Sequence, residues 1–582
     1  MKPIEQTPSS TLPPILILGG GIHGAAVARE LILNGIPVIL VDTGDLASGA
    51  TSKSSRLIHG GLRYLEYGDV GLVRESLTER RSLLDLAPQF VKPLRLFVPT
   101  RRRWSGLLRS ALGFFKLTRT RIGRRLLSPA ERRAPRGYWP VRFGLWLYDL
   151  FSWGDGLPIS RGMRISQSES NRSSAERQPA VNQSHYRWMC AYSDAQMLYP
   201  ERCVLALLTD AEQTAKTHGL ALEIIPHAKI EWRDTRIVVS TASQTHRPVQ
   251  PSLVINCSGA WGDLTLKGIE PGATPLFAGT KGSHFVTRHP DLIEKLGGQG
   301  IYAETGDRRL AFILPFGDAV LVGTTDERWS GPPDQAVASS EELQYLLDVV
   351  ERTFSLKLSM SDIESHYSGV RPLPRTVDTS NAAISRDHSL VEHRLHGVPV
   401  LTLVGGKLTT FRSVAQQITN QILKRLNRSR KDSTDQRPLV GAEGFEADPA
   451  RWPDLWRQWA EAYGTTVDEV AFLWPLYGMA VKSILSQITT IPRRPISDSP
   501  LAYRTVCWVI DHEWVTTLDD LVERRLMLVF APQITAALLT DLAECMVLSG
   551  RLASDQLSAA VAATIERLRS HYGRTVKQHS AV

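Results

Sequence analysis

An α/β fold followed by a separate helical region is predicted by three stretches of this 582-residue sequence. Residues 15–42, ILILGGGIHGAAVARELILNGIPVILVD, read as strand, glycine turn, helix and second strand. VPVLTLVGGKLTTFRSVAQQITNQIL (398–423) repeats the order of strand, double glycine and helix. From about residue 440 to about 575 the pattern is helical and rich in Trp, Leu and Ala. The first two stretches bring glycine turns to helix starts, where peptide N–H groups favour negative charge. The third needs a hydrophobic core of its own.

The remaining elements follow in chain order. Residues 69–87 carry helical periodicity that stops before Pro88. Residues 160–187 are polar, have no long apolar period, and are expected to be loop. Residues 197–218 read as helix, and PSLVINCSGAWGD (251–263) as a buried strand ending in a glycine turn. RRLAFILPFGDAVLVGTTDE (308–327) reads as a hairpin about Gly317-Asp318. A domain boundary is placed near 440. Residues 1–440 then form one region with discontinuous cofactor-binding parts at about 12–70, 190–275 and 365–425, substrate-binding sheet between them, and a helical domain from 441 to 582.

Composition narrows the class. No run of 18 or more apolar residues exists, so no helix is expected to cross a bilayer, and no signal peptide is read at the N-terminus. The five scattered cysteines contain no CxxC, which argues against a disulfide framework or a structural zinc site and for a reducing compartment. The formal charge of +9 is concentrated: Arg101 to Arg136 holds twelve Lys/Arg against one acid, Glu131, leaving the rest of the chain slightly negative. A single basic block suggests one docking patch and not a nucleic-acid-binding face.

The glycine run fits a dinucleotide. In Gly19-x-Gly21-x-x-Gly24 the first glycine permits the tight turn and the second lets backbone approach a pyrophosphate. The third allows helix to pack on strand. Asp42 ends the second strand, where an acid reaches ribose hydroxyls. The next stretch, DLASGATSKSSRLIHGGLRYLE, is rich in Gly and Ser, unlike the compact continuation of NAD enzymes. Gly405-Gly406 would bring peptide N–H groups to a helix start, where they stabilise negative charge such as that of a reduced flavin. Two such sites, about 380 residues apart, fit an extended FAD better than NAD.

At SSRLIHGGLRYLE the sequence resembles the FAD-dependent glycerol-3-phosphate dehydrogenases, the respiratory enzymes that pass electrons to quinone. GGGIHGAA, KGSHFV, LVGTTD, YSGVRPL, ISRD, GGKLTTFR and DHEWVTTLDDLVERR carry the resemblance, in family order, to about residue 525. It implies a discontinuous Rossmann-like FAD domain of the glutathione-reductase type, an antiparallel-sheet substrate domain, a C-terminal helical domain, and no metal. By the same resemblance Arg63, Tyr64 and Arg386 hold the substrate phosphate. Arg371, Lys407 and His284 stand at the reacting hydroxyl, with the general base undecided among them. Asp42, Ser54, Ser55, His59, Gly405 and Gly406 join the glycine loop as FAD contacts. Guanidinium forks suit a phosphate dianion, and cations beside the carbinol oxygen stabilise a developing alkoxide.

The implied substrate is sn-glycerol 3-phosphate and the implied acceptor membrane quinone. The alternative is an oxidase that passes electrons to O₂ and releases peroxide. Projected at about 100° per residue, Trp104, Leu107, Leu108, Ala111, Leu112, Phe114 and Phe115 share one arc. Arg102, Arg109 and Lys116 lie outside it, the pattern of a helix lying in a membrane interface. The expectation is a cytoplasmic protein docked through 101–136 on the cytoplasmic face of an anionic inner membrane, without nucleic acid and with a homodimer as the candidate assembly.

Overall fold

The structure is a computed structural model that describes residues 12–65, 68–106, 135–165, 177–233, 236–241, 247–269, 272–305, 307, 309–375, 388–395 and 397–578. Ile15–Leu18 is the centre of a six-stranded sheet, flanked by Leu253–Asn256 and Val38–Val41 in parallel. Val398–Val404 and Leu222–Ile225 extend it, also in parallel, and Ser389–Leu395 closes one edge antiparallel. The central strand is apolar throughout because both faces are covered. Ile15 and Ile17 pack against the helical layer, while Leu16 and Leu18 pack with Ile237, Val239 and Leu266 beneath a three-stranded sheet.

Helix Ile22–Leu33 is buried along nearly its whole length between helices Pro200–His218 and Phe411–Arg425. Gly24 makes its start possible. A Cβ there would collide with the Gly19 carbonyl oxygen, so helix and strand approach only with glycine at this place.

Among the described residues the second sheet has ten strands, eight on its main path, with Ser365–Arg371 and Arg161–Arg164 paired beside it. It is largely antiparallel, with one parallel pairing of Gly300–Glu304 to Val91–Thr100. One face packs Phe97, Phe285, Ile301, Ile313 and Val322 under helices Pro290–Leu296 and Ser340–Phe354. The other face carries a row set by register. Tyr367 lies beside His284, His284 beside Gly323, Gly323 beside Phe312, and Phe312 beside Tyr302. This face looks toward the cavity and the C-terminal helices, whose core is continuous with Leu96, Tyr192 and Phe316.

Three expectations change. Residues 161–164 are not loop: Arg161–Arg164 pairs with Trp188–Met197. This short edge strand is mostly exposed and has no apolar alternation to betray it. The helix after Gly405-Gly406 starts only at Phe411, because residues 407–410 first form a turn closed by Thr410 N–H on the Lys407 carbonyl. Strands Trp188–Met197 and Ser365–Arg371, placed with the cofactor parts, pair in the larger sheet because their partners Val91–Thr100 and Thr280–Thr287 lie there.

Candidate active site

A cavity of about 1270 Å³ opens where the parallel strands end, and is walled by the larger sheet and by C-terminal helices. Gly19, Gly21, Asp42, Ser54, Ser55, His59, Tyr64, His284, Arg371, Gly405, Gly406 and Lys407 all line it, so the two glycine sites do converge. Arg386 lies outside the described residues. Arg63 sits in the short helix Leu62–Leu65, but its side chain is outside them too.

At the glycine loop Asp42 has a task the sequence did not disclose. Its Oδ2 accepts the Gly20 N–H at 2.6 Å and its Oδ1 accepts the Gly44 N–H at 2.8 Å. The carboxylate therefore fixes the loop as well as facing the cavity. Burial raises its pKa to about 6, against the pull of those two amides. Ile22 N–H donates to Thr51 Oγ1 at 3.1 Å, adding the Ser/Thr loop to the glycine turn.

Loops 54–60 and 405–410 meet through Thr409. His59 N–H donates to its hydroxyl at 3.2 Å, and that hydroxyl donates to the His59 carbonyl at 3.4 Å. Gly406 has φ +98°, and a Cβ there would lie 2.7 Å from His23 Nε2. His23, to which the sequence assigned nothing, packs in that gap. Burial lowers its pKa to about 4, so it is neutral. Gly60 N–H is held by the Tyr148 hydroxyl at 2.9 Å and by Asp194 Oδ1 at 3.2 Å, with Arg80 balancing the aspartate at 2.8 Å.

The candidate catalytic groups cluster next to these loops. His284 is 2% exposed and stacks on Tyr367 at 4.8 Å. Its Nε2 lies 2.9 Å from Ser55 Oγ, and its Nδ1 has no hydrogen-bond partner among the described residues. Burial first, then the charges of Arg371 and Arg56, hold its pKa well below the ordinary value, so the ring is neutral and able to accept a proton. Arg371 ends strand Ser365–Arg371 and donates to Thr324 Oγ1 at 2.8 Å and to the Thr325 carbonyl at 3.2 Å. Lys407 Nζ lies 3.9 Å from the Tyr64 ring centre and 3.4 Å from Ser76 Oγ.

Arg56 was missed, although it stands in the SSRLIHGG stretch. It is fully buried, bonded to Glu201 at 2.7 and 3.0 Å and to the Leu198 and Ser52 carbonyls at 2.5 and 3.0 Å. The acid that neutralises it is 145 positions away, which no local pattern reveals. An apolar shelf was missed as well. Leu62, Tyr302, Leu310 and Phe312 line the cavity beside His59, with Tyr302 stacked on Phe312 at 4.2 Å.

The residues present fit an adenine dinucleotide with a flavin end. A glycine turn caps a helix start, a carboxylate stands at the second strand end, and a second glycine pair meets a hydroxyl-rich loop in one cavity.

The family model for FAD dependent oxidoreductases matches residues 14–156 and 160–412, and the chain belongs to that family. It is an FAD-dependent oxidoreductase of α/β class. A second model, the C-terminal domain of alpha-glycerophosphate oxidase, matches residues 432–549. The chain is 32% identical to a glycerol-3-phosphate dehydrogenase of Synechocystis sp., over 89% of each chain. It is 30% identical to D-erythritol 1-phosphate dehydrogenase of Brucella abortus, over 88% of this chain and 93% of that one. It is 28% identical to the aerobic glycerol-3-phosphate dehydrogenase of Escherichia coli, over 88% and 93%. Glycerol-3-phosphate dehydrogenase of Bacillus halodurans, solved with FAD, shares the fold at TM-score 0.67 and 19% identity, covering 97% of this chain and 96% of that one.

Proposed function

We propose that this enzyme oxidises sn-glycerol 3-phosphate to dihydroxyacetone phosphate and passes the electrons to a membrane quinone. The observation that carries the chemistry is a neutral, buried His284 held between Ser55 and the field of Arg371, at the wall of the cofactor cavity. Bound FAD supplies the hydride acceptor. His284 takes the hydroxyl proton, and Arg371 and Lys407 stabilise charge on the carbinol oxygen. Arg63, Tyr64 and Arg386 are assigned to the phosphate.

Anaerobic mixing tests this directly. The flavin is expected to bleach with sn-glycerol 3-phosphate, not with glycerol, and more slowly with D-erythritol 1-phosphate. Equal bleaching by glycerol would remove the phosphate subsite from the scheme.

Two observations favour a lipid-borne acceptor over oxygen. The shelf of Leu62, Tyr302, Leu310 and Phe312 offers an apolar ring a place that a polyol phosphate does not need. Helix Tyr138–Phe151 runs along its border, since a Cβ on Gly144 would lie 3.8 Å from Leu62 Cδ1. The outer face of that helix exposes Trp139, Phe143, Trp146 and Leu150, and the row continues to Trp153, which is 82% exposed. Trp104 stacks on Trp139 at 5.6 Å, which joins the start of the basic segment to the same patch. Arg101, Arg102 and Arg103 are exposed beside it, while residues 107–134, with most of the expected amphipathic face, lie outside the described residues.

Exposed aromatic residues next to arginines suit an anionic bilayer surface, where each cation contributes about 1 kcal/mol. Among the described residues no helix is long and apolar enough to cross a membrane. The triple variant Phe143→Ser, Trp146→Ser, Leu150→Ser is expected to stay in the supernatant when anionic vesicles are sedimented, with flavin bleaching intact. Co-sedimentation equal to that of the parent would move the membrane contact elsewhere.

A further inference from the structure

The motif DHEWVTTLDDLVERR lies in the helical region, yet Thr517, Asp519, Asp520 and Arg524 line the cofactor cavity, as do Arg567 and His571 of the last helix, Leu557–Tyr572. The same two segments grip one loop at two points. At the first, Asp45 receives Arg525 at 2.5 and 2.7 Å and also the Arg524 guanidinium. At the second, Lys53 Nζ donates to the Tyr572 hydroxyl at 2.6 Å and sits 4.0 Å from the centre of its ring. Tyr572 in turn donates to Glu523 Oε2 at 2.8 Å. Glu523 pairs with Arg524 and Arg567, which closes the circuit back to Asp45. Asp45, Glu523, Arg524, Arg525 and Tyr572 are all buried.

The gripped segment, residues 45–53, supplies Ser48, Gly49, Ala50 and Thr51 to the cavity wall. Thr51 also receives the first helical N–H after the glycine turn. Two residues past Lys53, Ser55 touches His284. Beyond Tyr572 the helix end meets the strand that carries Tyr367 and Arg371, since a Cβ on Gly573 would lie 2.6 Å from His366 Nε2. Fixing nine loop residues in advance spares that ordering cost when a cofactor binds.

We propose that Lys53, Tyr572 and Glu523 are positioning residues, through which the helical domain clamps loop 45–53 in its cofactor-receiving form and sets the His284 imidazole through Ser55. The inference rests on the FAD reading of the cavity. Tyr572→Phe removes the hydroxyl that joins Lys53 to Glu523 while keeping the ring. Apoprotein reconstituted with FAD and followed by quenching of flavin fluorescence is expected to show a dissociation constant raised at least about tenfold, the scale of one lost hydrogen bond to a charged group.

Lys53→Met should act in the same direction, and the double variant should be little worse than either single one, because both remove the same contact. Bleaching at saturating sn-glycerol 3-phosphate should slow in both. Glu469→Gln is the control for mere stability. Glu469 is buried among Thr505, Ala502 and Arg493 in the same domain, away from the loop. It should lower the melting temperature without changing FAD affinity. Parent-like FAD affinity in both Tyr572→Phe and Lys53→Met, whatever their melting temperatures, overturns the clamp. Failure of the parent apoprotein to bind FAD at all would instead overturn the reading of the cavity.

Discussion

His284→Gln is expected to slow flavin bleaching by saturating sn-glycerol 3-phosphate by about 10²–10⁴-fold, the usual yield of a positioned general base. FAD affinity should change little, since glutamine keeps a polar group opposite Ser55 Oγ. Lys407→Ala is the discriminating comparison. If the lysine were the base, the larger loss would fall on that variant, and His284→Gln would show only the modest effect of a lost contact.

The pH dependence has a defined sign. Burial, Arg371 and Arg56 depress the His284 pKa below its ordinary value of 6.5. The proton-accepting form therefore persists into mildly acidic solution, and the acid limb of the bleaching rate should lie below pH 6.5 in the parent. The limb should vanish in His284→Gln. Linkage sets the matching trend in stability. The unfolded chain takes up the histidine proton first, so the contribution of neutral His284 is complete above about pH 6.5 and is lost as pH falls through the unfolded and then the folded value. A limb above pH 7 that survives in the variant would assign the titration to another group.

What could be read from the sequence follows its local periods. Gly19 to Asp42 declares itself because a fully buried strand, a glycine turn and a helix start each leave a composition signature within a few residues. The hairpin at Gly317-Asp318 does so for the same reason, and its strands Leu310–Phe316 and Ala319–Gly323 pair as expected. Contacts between distant positions left no such mark. Thr409 on His59, Glu201 on Arg56 and Tyr572 on Lys53 join residues 350, 145 and 519 positions apart. The spacing of Trp139, Phe143, Trp146 and Leu150 is visible in the sequence, but an apolar helical stripe ordinarily means core. Only their exposure in the fold turns the stripe outward. Arg161–Arg164 was invisible because backbone pairing alone makes it a strand.

Removing one partner of the buried Arg56–Glu201 pair is expected to cost about 3–5 kcal/mol of stability. The two side chains are 0% and 2% exposed. Arg56 lies between the rings of Phe530, Phe316 and Tyr367, at 4.9, 5.4 and 5.7 Å from their centres. Neither charge has water to return to when the other is lost, so Arg56→Met and Glu201→Gln should each lower the denaturation midpoint sharply. The double variant Arg56→Met/Glu201→Leu should recover part of the loss, because it leaves no orphaned charge. The exposed pair Arg247–Glu223 provides the contrast: its side chains are 44% and 39% exposed, and Arg247→Ala should cost under about 1 kcal/mol. Arg56→Met has a second expected result that a purely structural role would not produce. Arg56 is one of the charges that depress the His284 pKa, so its removal should move the acid limb of flavin bleaching to higher pH. An unmoved limb in a folded, FAD-loaded Arg56→Met protein would show that burial and Arg371 alone set the state of His284.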